Sequence, residues 1–226
     1  REMDYPNEKA ALSKSVAIVG AGPAGLSCAI YAAKRGHRVT LFEKSNHIGG
    51  QFNLAKQIPG KEEFHETIRY FCRQLQLLNV DVRLEQQADV DCLSGFDEVI
   101  IATGVIPRKI QLEGVEHHKV ISYIDVITKQ RSVGRSVAII GAGGIGFDVA
   151  ELLTQEGKSS SLDNSLFNKE WNIDTTIHSK GGVFPPQKVP MASARQLYLL
   201  QRKNSKVGAG LGKTTGWVHR LSLMKR

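Results

Sequence analysis

Val16-Ala17-Ile18-Val19-Gly20-Ala21-Gly22-Pro23-Ala24-Gly25 is an apolar strand that runs straight into a glycine turn and then into a helix of small residues, Ala24–Arg35. Each glycine has a reason at its position. Gly20 permits the tight turn off the strand, Gly22 lets backbone approach a pyrophosphate with no Cβ in the way, and Gly25 lets the helix pack closely on the strand. Pro23 costs no hydrogen bond, because a first-turn N–H has no intrahelical partner. Gly36 stops the helix at C′. Arg38–Phe42 reads as the second strand and leads into Glu43, where an acid accepts hydrogen bonds from the hydroxyls of an adenosine ribose. Strand, turn, helix, second strand and acid in register make a dinucleotide-binding fingerprint. A tight strand–helix turn that binds nothing is the competing reading, and the full context disfavours it.

Outward from this unit, residues 44–60 carry glycines and Pro59 and read as loop. Phe64, Ile68, Phe71, Leu75 and Leu78 recur at alternating spacings of four and three, which predicts an amphipathic helix over Lys61–Asn79. Val80–Leu84 and Val99–Ala102 read as strands. The pattern then restarts. Ser136–Ile140 is apolar, Gly141-Ala142-Gly143-Gly144-Ile145-Gly146 repeats the glycine spacing 121 positions after Gly20, and a helix follows over Gly146–Gln155. Residues 156–194 interrupt with Ser, Asn, Gly and a Pro-Pro pair, too long for an ordinary connection. Leu197–Gln201 reads as the next strand. The fold class expected is α/β with two Rossmann-like nucleotide-binding domains of three layers. A linker spans 1–14, the first domain 15–131, and the second 132–226 with an insertion at 156–194. The chain stops in the middle of a unit, so both domains read as incomplete.

Two such units call for two dinucleotides, or for one dinucleotide and one degenerate site. Glu43 after the first turn would repel a 2′-phosphate, whereas the second unit reaches Arg202 and Lys203 after its next strand, where cations would pair with one. FAD is therefore expected at Gly20, Gly22 and Gly25, and NADPH at Gly141, Gly143, Gly144 and Gly146. The competing reading of Arg202 and Lys203 is a solvated strand end. Gly49-Gly50-Gln51 and Ala102-Thr103-Gly104 add to the first site by their order, with Gly50, Gln51, Thr103 and Gly104 as candidates. Alone, each tripeptide is an ordinary turn.

The 226 residues carry 30 Lys and Arg against 22 Asp and Glu, a net charge of +8. From Arg195 onward there are eight Lys and Arg and no acid, so the whole excess is local. From Arg202 on, only Trp217 interleaves those charges, which argues against nucleic-acid binding. No run approaches the length of a membrane span, and no apolar signal-peptide stretch opens the chain. Cys28, Cys72 and Cys92 are far apart, which excludes a CxxC redox pair and a four-thiolate site and fits a reducing cytoplasm. Cys28 and Cys72 are expected to pack in the interior. Gly208-Ala209-Gly210-Leu211-Gly212-Lys213-Thr214-Thr215 is one residue short of a phosphate-binding P-loop. His117-His118 and the other histidines lack metal-ligand spacing.

VAIVGAGPAGLSCAIYAAKRGHRVTLFEK at 16–44, IGGQFNLAKQIPGKEEF at 48–64, VAIIGAGGIGFDVAELL at 137–153 and LQRKNSKVGAGLGKTTGWVHR at 200–220 together resemble the C-terminal flavin region of bacterial 2,4-dienoyl-CoA reductases. Those enzymes belong to the old-yellow-enzyme and trimethylamine-dehydrogenase-like group. The resemblance implies an electron path in which NADPH reduces FAD, and electrons pass through a 4Fe-4S cluster to FMN, which reduces the dienoyl thioester. It also implies that Ala24, Glu43 and Gln51 contact FAD, that Ala88 does so through its backbone, and that Arg202 and Lys203 contact the NADPH 2′-phosphate. Members of that family carry an N-terminal TIM barrel with FMN, the cluster cysteines and the catalytic acids. None of these is expected in this chain, so no catalytic or metal residue is assigned to it, and 2,4-dienoyl-CoA would be bound by the barrel. A related dehydrogenase with a degenerate second site, and a nucleotide-binding module without redox chemistry, are the alternatives.

Overall fold

The computed structural model describes residues 8–185 and 193–226. Its contacts divide the chain into two compact units: one holds the described residues up to Ala55 with Glu63–Leu112, the other Lys56–Glu62 with Glu113–Arg226. The expected boundary at 131 and 132 falls inside the second unit, and a short piece of the first half, Lys56–Glu62, also belongs there.

In the first unit, β1 (Ser15–Val19) leads into α1 (Pro23–Lys34), then β2 (Arg38–Phe42), α2 (Phe52–Ala55), α3 (Phe64–Leu77), β3 (Asp81–Arg83), α4 (Val90–Leu93) and β4 (Glu98–Ile101). The strands form one parallel sheet in the order β3-β2-β1-β4. The chain leaves β1 toward β2 and β3, then returns to the other side of β1 as β4. A crevice therefore opens at the C-terminal ends of β1 and β4, where such sheets bind ligands. Val16 and Ile18 point from β1, and Val39 and Leu41 from β2, into a core with Leu26, Ala29 and Ile30 of α1 and Leu75 of α3. The alternate side chains of the strands are also covered, since Ala17 and Phe42 are fully buried. Phe42 meets the edge of Phe96 at a centroid distance of 6.0 Å. Burial on both faces explains why these strands read as continuous apolar runs.

In the second unit, α5 (Tyr123–Ile127) precedes β5 (Ser136–Ile140), α6 (Gly144–Thr154), α7 (Asn164–Glu170), β6 (Gln196–Leu200) and α8 (Gly216–Met224). β5 and β6 pair in parallel from Ser136↔Gln196 to Ile140↔Leu200. α6 covers one face with Phe147, Val149, Ala150 and Leu153, all buried. α8 is tied to α6 by His219, whose Nδ1 lies 2.8 Å from the buried Glu151 carboxylate. Burial pushes the Glu151 carboxyl above its ordinary value, against the opposing pull of His219. Lys56–Glu62 is held by the buried Ile58 and by Lys61, whose Nζ lies 2.6 and 2.7 Å from the two Asp148 oxygens.

The 156–194 insertion has structure of its own over its described part. Two 3-10 turns (Ser160–Leu162 and Lys180–Gly182) flank α7 and a bridge between Ile173 and Val183. Buried Asp174 organises the turn between them, accepting hydrogen bonds from Thr176, His178 and Ser179. The second proline of the Pro-Pro pair lies outside the described residues. Cys72 is exposed rather than packed, because it sits beside the buried stripe of α3 and not on it. Cys28 is half-buried against the first core, and burial pushes its thiol up.

Both glycine turns depend on one close approach. A Cβ on Gly25 would lie 1.9 Å from the Gly20 carbonyl oxygen, and one on Gly146 would lie 1.9 Å from that of Gly141. Gly143 has open space instead. Gly146→Ala is therefore expected to lower stability by about 3 kcal/mol through overpacking, and Gly143→Ala by less than about 1 kcal/mol. Urea unfolding of the two variants checks this, and equal losses would contradict it.

Candidate dinucleotide-binding site

The first site is assembled where β1, β2 and β4 end. Gly20, at φ +105, donates its N–H to the Phe42 carbonyl at 2.8 Å. That bond brings the turn beside Glu43. On the other side the turn abuts the end of β4, where a Cβ on Gly20 would lie 2.5 Å from the Ala102 oxygen. Thr103 and Gly104 follow, both exposed. Gly49 donates to the Ala21 carbonyl at 2.8 Å, and Gly50 rides so close over the turn that its Cβ would lie 2.9 Å from the Gly22 Cα. Gln51 Nε2 donates to the Val105 carbonyl at 3.1 Å, tying this segment to the chain beyond Gly104. Gln86 donates to the Glu43 carbonyl at 3.0 Å, so half-buried Ala88, two residues further on, follows the same edge. These contacts bring Gly20, Gly22, Gly25, Glu43 and Gly50 together at the strand ends, with Gln51 beside Gly50, and Thr103, Gly104 and Ala88 are neighbours of that group along the chain.

The N-termini of α1 and α6 begin at glycines, unlike those of α4, α5 and α7. Asp89, Ser122 and Asp163 cap α4, α5 and α7 through their side chains. α1 and α6 begin at Gly22 and Gly143, with no side-chain cap and no acid in the first turn. Leading N–H groups without a cap, on the positive end of a helix, suit an anion. Neither Gly22 nor Gly143 has an atom near the place a Cβ would take, so a pyrophosphate has room at both.

Glu43 is held as an acceptor. Its Oε2 takes the Ala21 N–H at 2.8 Å, and its Oε1 takes the Ser45 N–H at 2.9 Å and the Ser45 hydroxyl at 2.8 Å. Burial alone would raise its pKa, but the bonds from Ser45 and Ala21 outweigh that and hold the carboxyl below its ordinary value. Oε2 keeps a lone pair for a ligand hydroxyl. Ala21 and Ser45 were not legible as site residues. A serine two positions after the acid is the only signal, and serine is common there.

At the second site the Gly141 N–H donates to the Leu200 carbonyl at 2.8 Å, the same bond that Gly20 makes to Phe42. Arg202 and Lys203 come one residue after β6, both exposed. Gln201 Nε2 donates to the Lys203 carbonyl at 2.9 Å and also to that of Ser205, folding the cations into a tight turn. The basic C-terminal stretch separates into two groups. Arg195 donates to the Gly134 and Leu153 carbonyls, Arg220 to that of Gly208, and Lys225 to that of Glu170. Arg226 reaches Thr154 and Gln155. These four cations serve the fold. Arg202, Lys203, Lys206 and Lys213 are exposed and form no side-chain hydrogen bond or ion pair among the described residues, so the free charge lies after β6.

In the P-loop look-alike the Ala209 and Leu211 N–H groups are taken by the Lys206 and Gly208 carbonyls, and Gly208 packs against the Phe147 ring. Among the described residues no cluster of His, Cys, Asp or Glu could hold a metal, and no helix is long and apolar enough to cross a membrane.

Glu43→Gln should be less stable than the parent at neutral pH. A carboxyl whose folded pKa is depressed contributes above its unfolded value, and loses that contribution as pH falls through the folded pKa. The gap between parent and variant is therefore expected to close below the ordinary glutamate value of 4.5. Unfolding curves across that range check this, and a gap independent of pH would contradict it.

The family model described as Pyridine nucleotide-disulphide oxidoreductase matches residues 14–197. Cinnamate reductase of Clostridium sporogenes is 37% identical over 169 residues, which cover 72% of this chain and 24% of that protein. NADH oxidase of Thermoanaerobacter brockii is 36% identical over 165 residues, covering 70% and 25%. The solved complex of 2-naphthoyl-CoA reductase with 2-naphthoyl-CoA matches with a TM-score of 0.74 at 26% identity, covering 98% of this chain and 28% of that one. The chain thus spans about a quarter of the length of the curated relatives it matches. A family match over most of the chain, the α/β fold with parallel sheets and the paired glycine turns agree: the chain belongs to the pyridine nucleotide-disulphide oxidoreductase family, as an FAD- and NAD(P)-binding module.

Proposed function

We propose that this chain is the electron-input module of an NADPH-dependent reductase, with FAD at the Gly20–Gly25 turn and NADPH at the Gly141–Gly146 turn. The observation that carries the reading is a difference between two turns of the same geometry. A carboxylate held ionised by Ala21 and Ser45 follows the first, and two unpaired cations follow the second. Glu43 suits a ribose with free 2′- and 3′-hydroxyls, and Arg202 and Lys203 suit a 2′-phosphate. The intact close approach of Gly146 to Gly141 speaks against a degenerate second site.

The residues of the chain bind and orient. First-turn N–H groups of α1, Ala24 among them, would meet the FAD pyrophosphate, and Gly22 leaves the space it needs. Gly50, Gln51, Thr103 and Gly104 would line the flavin side of the crevice at the ends of β1 and β4, and the Ala88 backbone would meet the ligand along the Glu43 edge. Gly143 and Gly144 would present the corresponding N–H groups of α6 to the second pyrophosphate. A bound flavin supplies the chemistry that links a two-electron donor to one-electron carriers. The three cysteines are free and unpaired in sequence, so electrons would leave by a route other than a disulphide of this chain.

In the full-length protein that route is proposed to run through a 4Fe-4S cluster to FMN, which would reduce a 2,4-dienoyl-CoA bound in an N-terminal barrel. The motifs at 48–64 and 200–220 support this assignment, as does the structural likeness to a protein solved with an acyl-CoA thioester.

Anaerobic addition of NADPH to the full-length protein is expected to bleach its flavin absorbance. The Arg202→Ala/Lys203→Ala double variant should raise KM for NADPH about 10- to 100-fold through lost charged contacts, with kcat and the KM for NADH little changed. Flavin that stays oxidised with both coenzymes would overturn the module assignment. An unchanged NADPH KM in the double variant would overturn the cation assignment.

A further inference from the structure

We infer that Glu151 and His219 form a proton-operated latch that holds α8, and the loop that leads into it, on α6, and that loosens as pH rises. The inference concerns the second unit alone and is independent of which nucleotide that unit binds.

Glu151 occupies a place where the helix pattern calls for an apolar side chain. Phe147, Ala150, Glu151 and Thr154 recur at helical spacing along the buried face of α6, and Glu151 is 7% exposed. A carboxylate there gives up its water. A well-packed apolar residue of similar volume would hold two helices at least as well, so packing alone does not account for it. Its side-chain partner is His219 of α8, whose Nδ1 lies 2.8 Å from Oε1.

α8 depends on ties of this kind. Of its nine residues only Gly216, which has no side chain, is buried. Arg220 donates to the Gly208 carbonyl at 3.0 Å, and Gly208 is packed on the Phe147 ring, so the loop before α8 is fastened through α8 as well. Just past the helix, Lys225 lies over the Trp171 ring and donates to the Glu170 carbonyl. Arg226 reaches Thr154, Gln155 and the Glu170 carboxylate. Lysine and arginine keep their charge near neutral pH, whereas an imidazole changes its own there. The tie from His219 is therefore the one that pH can alter.

The surroundings set the sign. Glu151 feels Asp148 on α6 and Lys61 from the Lys56–Glu62 segment, which are paired with each other. α5 also packs on α6 and carries Tyr123 and Asp125. Burial raises the Glu151 carboxyl above its ordinary value, Asp148 adds to the rise, and His219 and Lys61 oppose it. A folded pKa above the unfolded one gives stability at low pH that is lost as pH rises through the folded value. Loss of the imidazolium charge acts in the same direction, because it leaves a buried carboxylate with a neutral partner. Both changes weaken the hold on α8 as pH rises.

Hydrogen exchange of the full-length protein, corrected for the intrinsic effect of pH, reads that hold directly. Between about pH 5 and about pH 8, protection of α8 is expected to fall about tenfold, while that of α1 stays level. Glu151→Gln keeps the size and an acceptor but cannot ionise, and should make the α8 profile level. At about pH 7, His219→Leu should be nicked by trypsin at Lys206 or Lys213 faster than the parent. A level α8 profile in the parent overturns the latch, as does a fall shared equally by α1. A parental slope in Glu151→Gln overturns its assignment to this pair. Nicking of His219→Leu at the parental rate overturns the hold on the loop.

Discussion

Two helices can start where they do only because a Cα–H, and not a side chain, meets the carbonyl of the turn before them. Gly25 closes on the Gly20 oxygen and Gly146 on that of Gly141, each at a distance that any Cβ would violate. That approach sets α1 against β1 and α6 against β5. It also aims each helix N-terminus at the crevice beyond the strand ends, without a side chain to cap it. The remaining features of both sites are arranged around these two contacts. Glu43 is placed by the bond from Gly20 to Phe42, and Arg202 and Lys203 by the bond from Gly141 to Leu200.

Given equal scaffolds, selectivity falls to the electrostatics just past the second strand of each unit. At the first, three protein donors keep a partly buried carboxylate ionised and leave it able to accept from a hydroxyl. At the second, the free part of the basic excess is concentrated in one loop, because the other cations of the C-terminal stretch are consumed by carbonyls and side chains of the fold. Counting charge along the chain overstates what a partner would meet. Subtracting the cations that the fold itself uses leaves Arg202, Lys203, Lys206 and Lys213 exposed after β6.

Much of this was legible in the sequence wherever the signal is local. The strand, turn and helix around Gly20–Gly25 and around Gly141–Gly146 follow from apolar runs and glycine spacing, and the observed bounds lie within a residue or two of those expected. Distant relations were hidden. The transfer of Lys56–Glu62 to the second unit depends on Ile58 and on the Lys61–Asp148 pair, whose members lie 87 positions apart. The 44–60 stretch, read as loop, contains α2, with Phe52 stacked on Phe64 at 4.4 Å, a contact no periodicity announces. Cys72 was misjudged because a helix face can shift from packed to exposed within one position. The match between the bond from Gly20 to Phe42 and that from Gly141 to Leu200 was concealed by the insertion, which lengthens one crossover and leaves the other short.

The central claim is that two turns of one geometry take two different dinucleotides. A crystal structure of the full-length protein soaked with NADP⁺ tests it most directly. The account predicts the FAD pyrophosphate at Gly22 with the ribose on Glu43, and the NADP⁺ 2′-phosphate between Arg202 and Lys203. Flavin at Gly143, or a 2′-phosphate turned away from both cations, would contradict it.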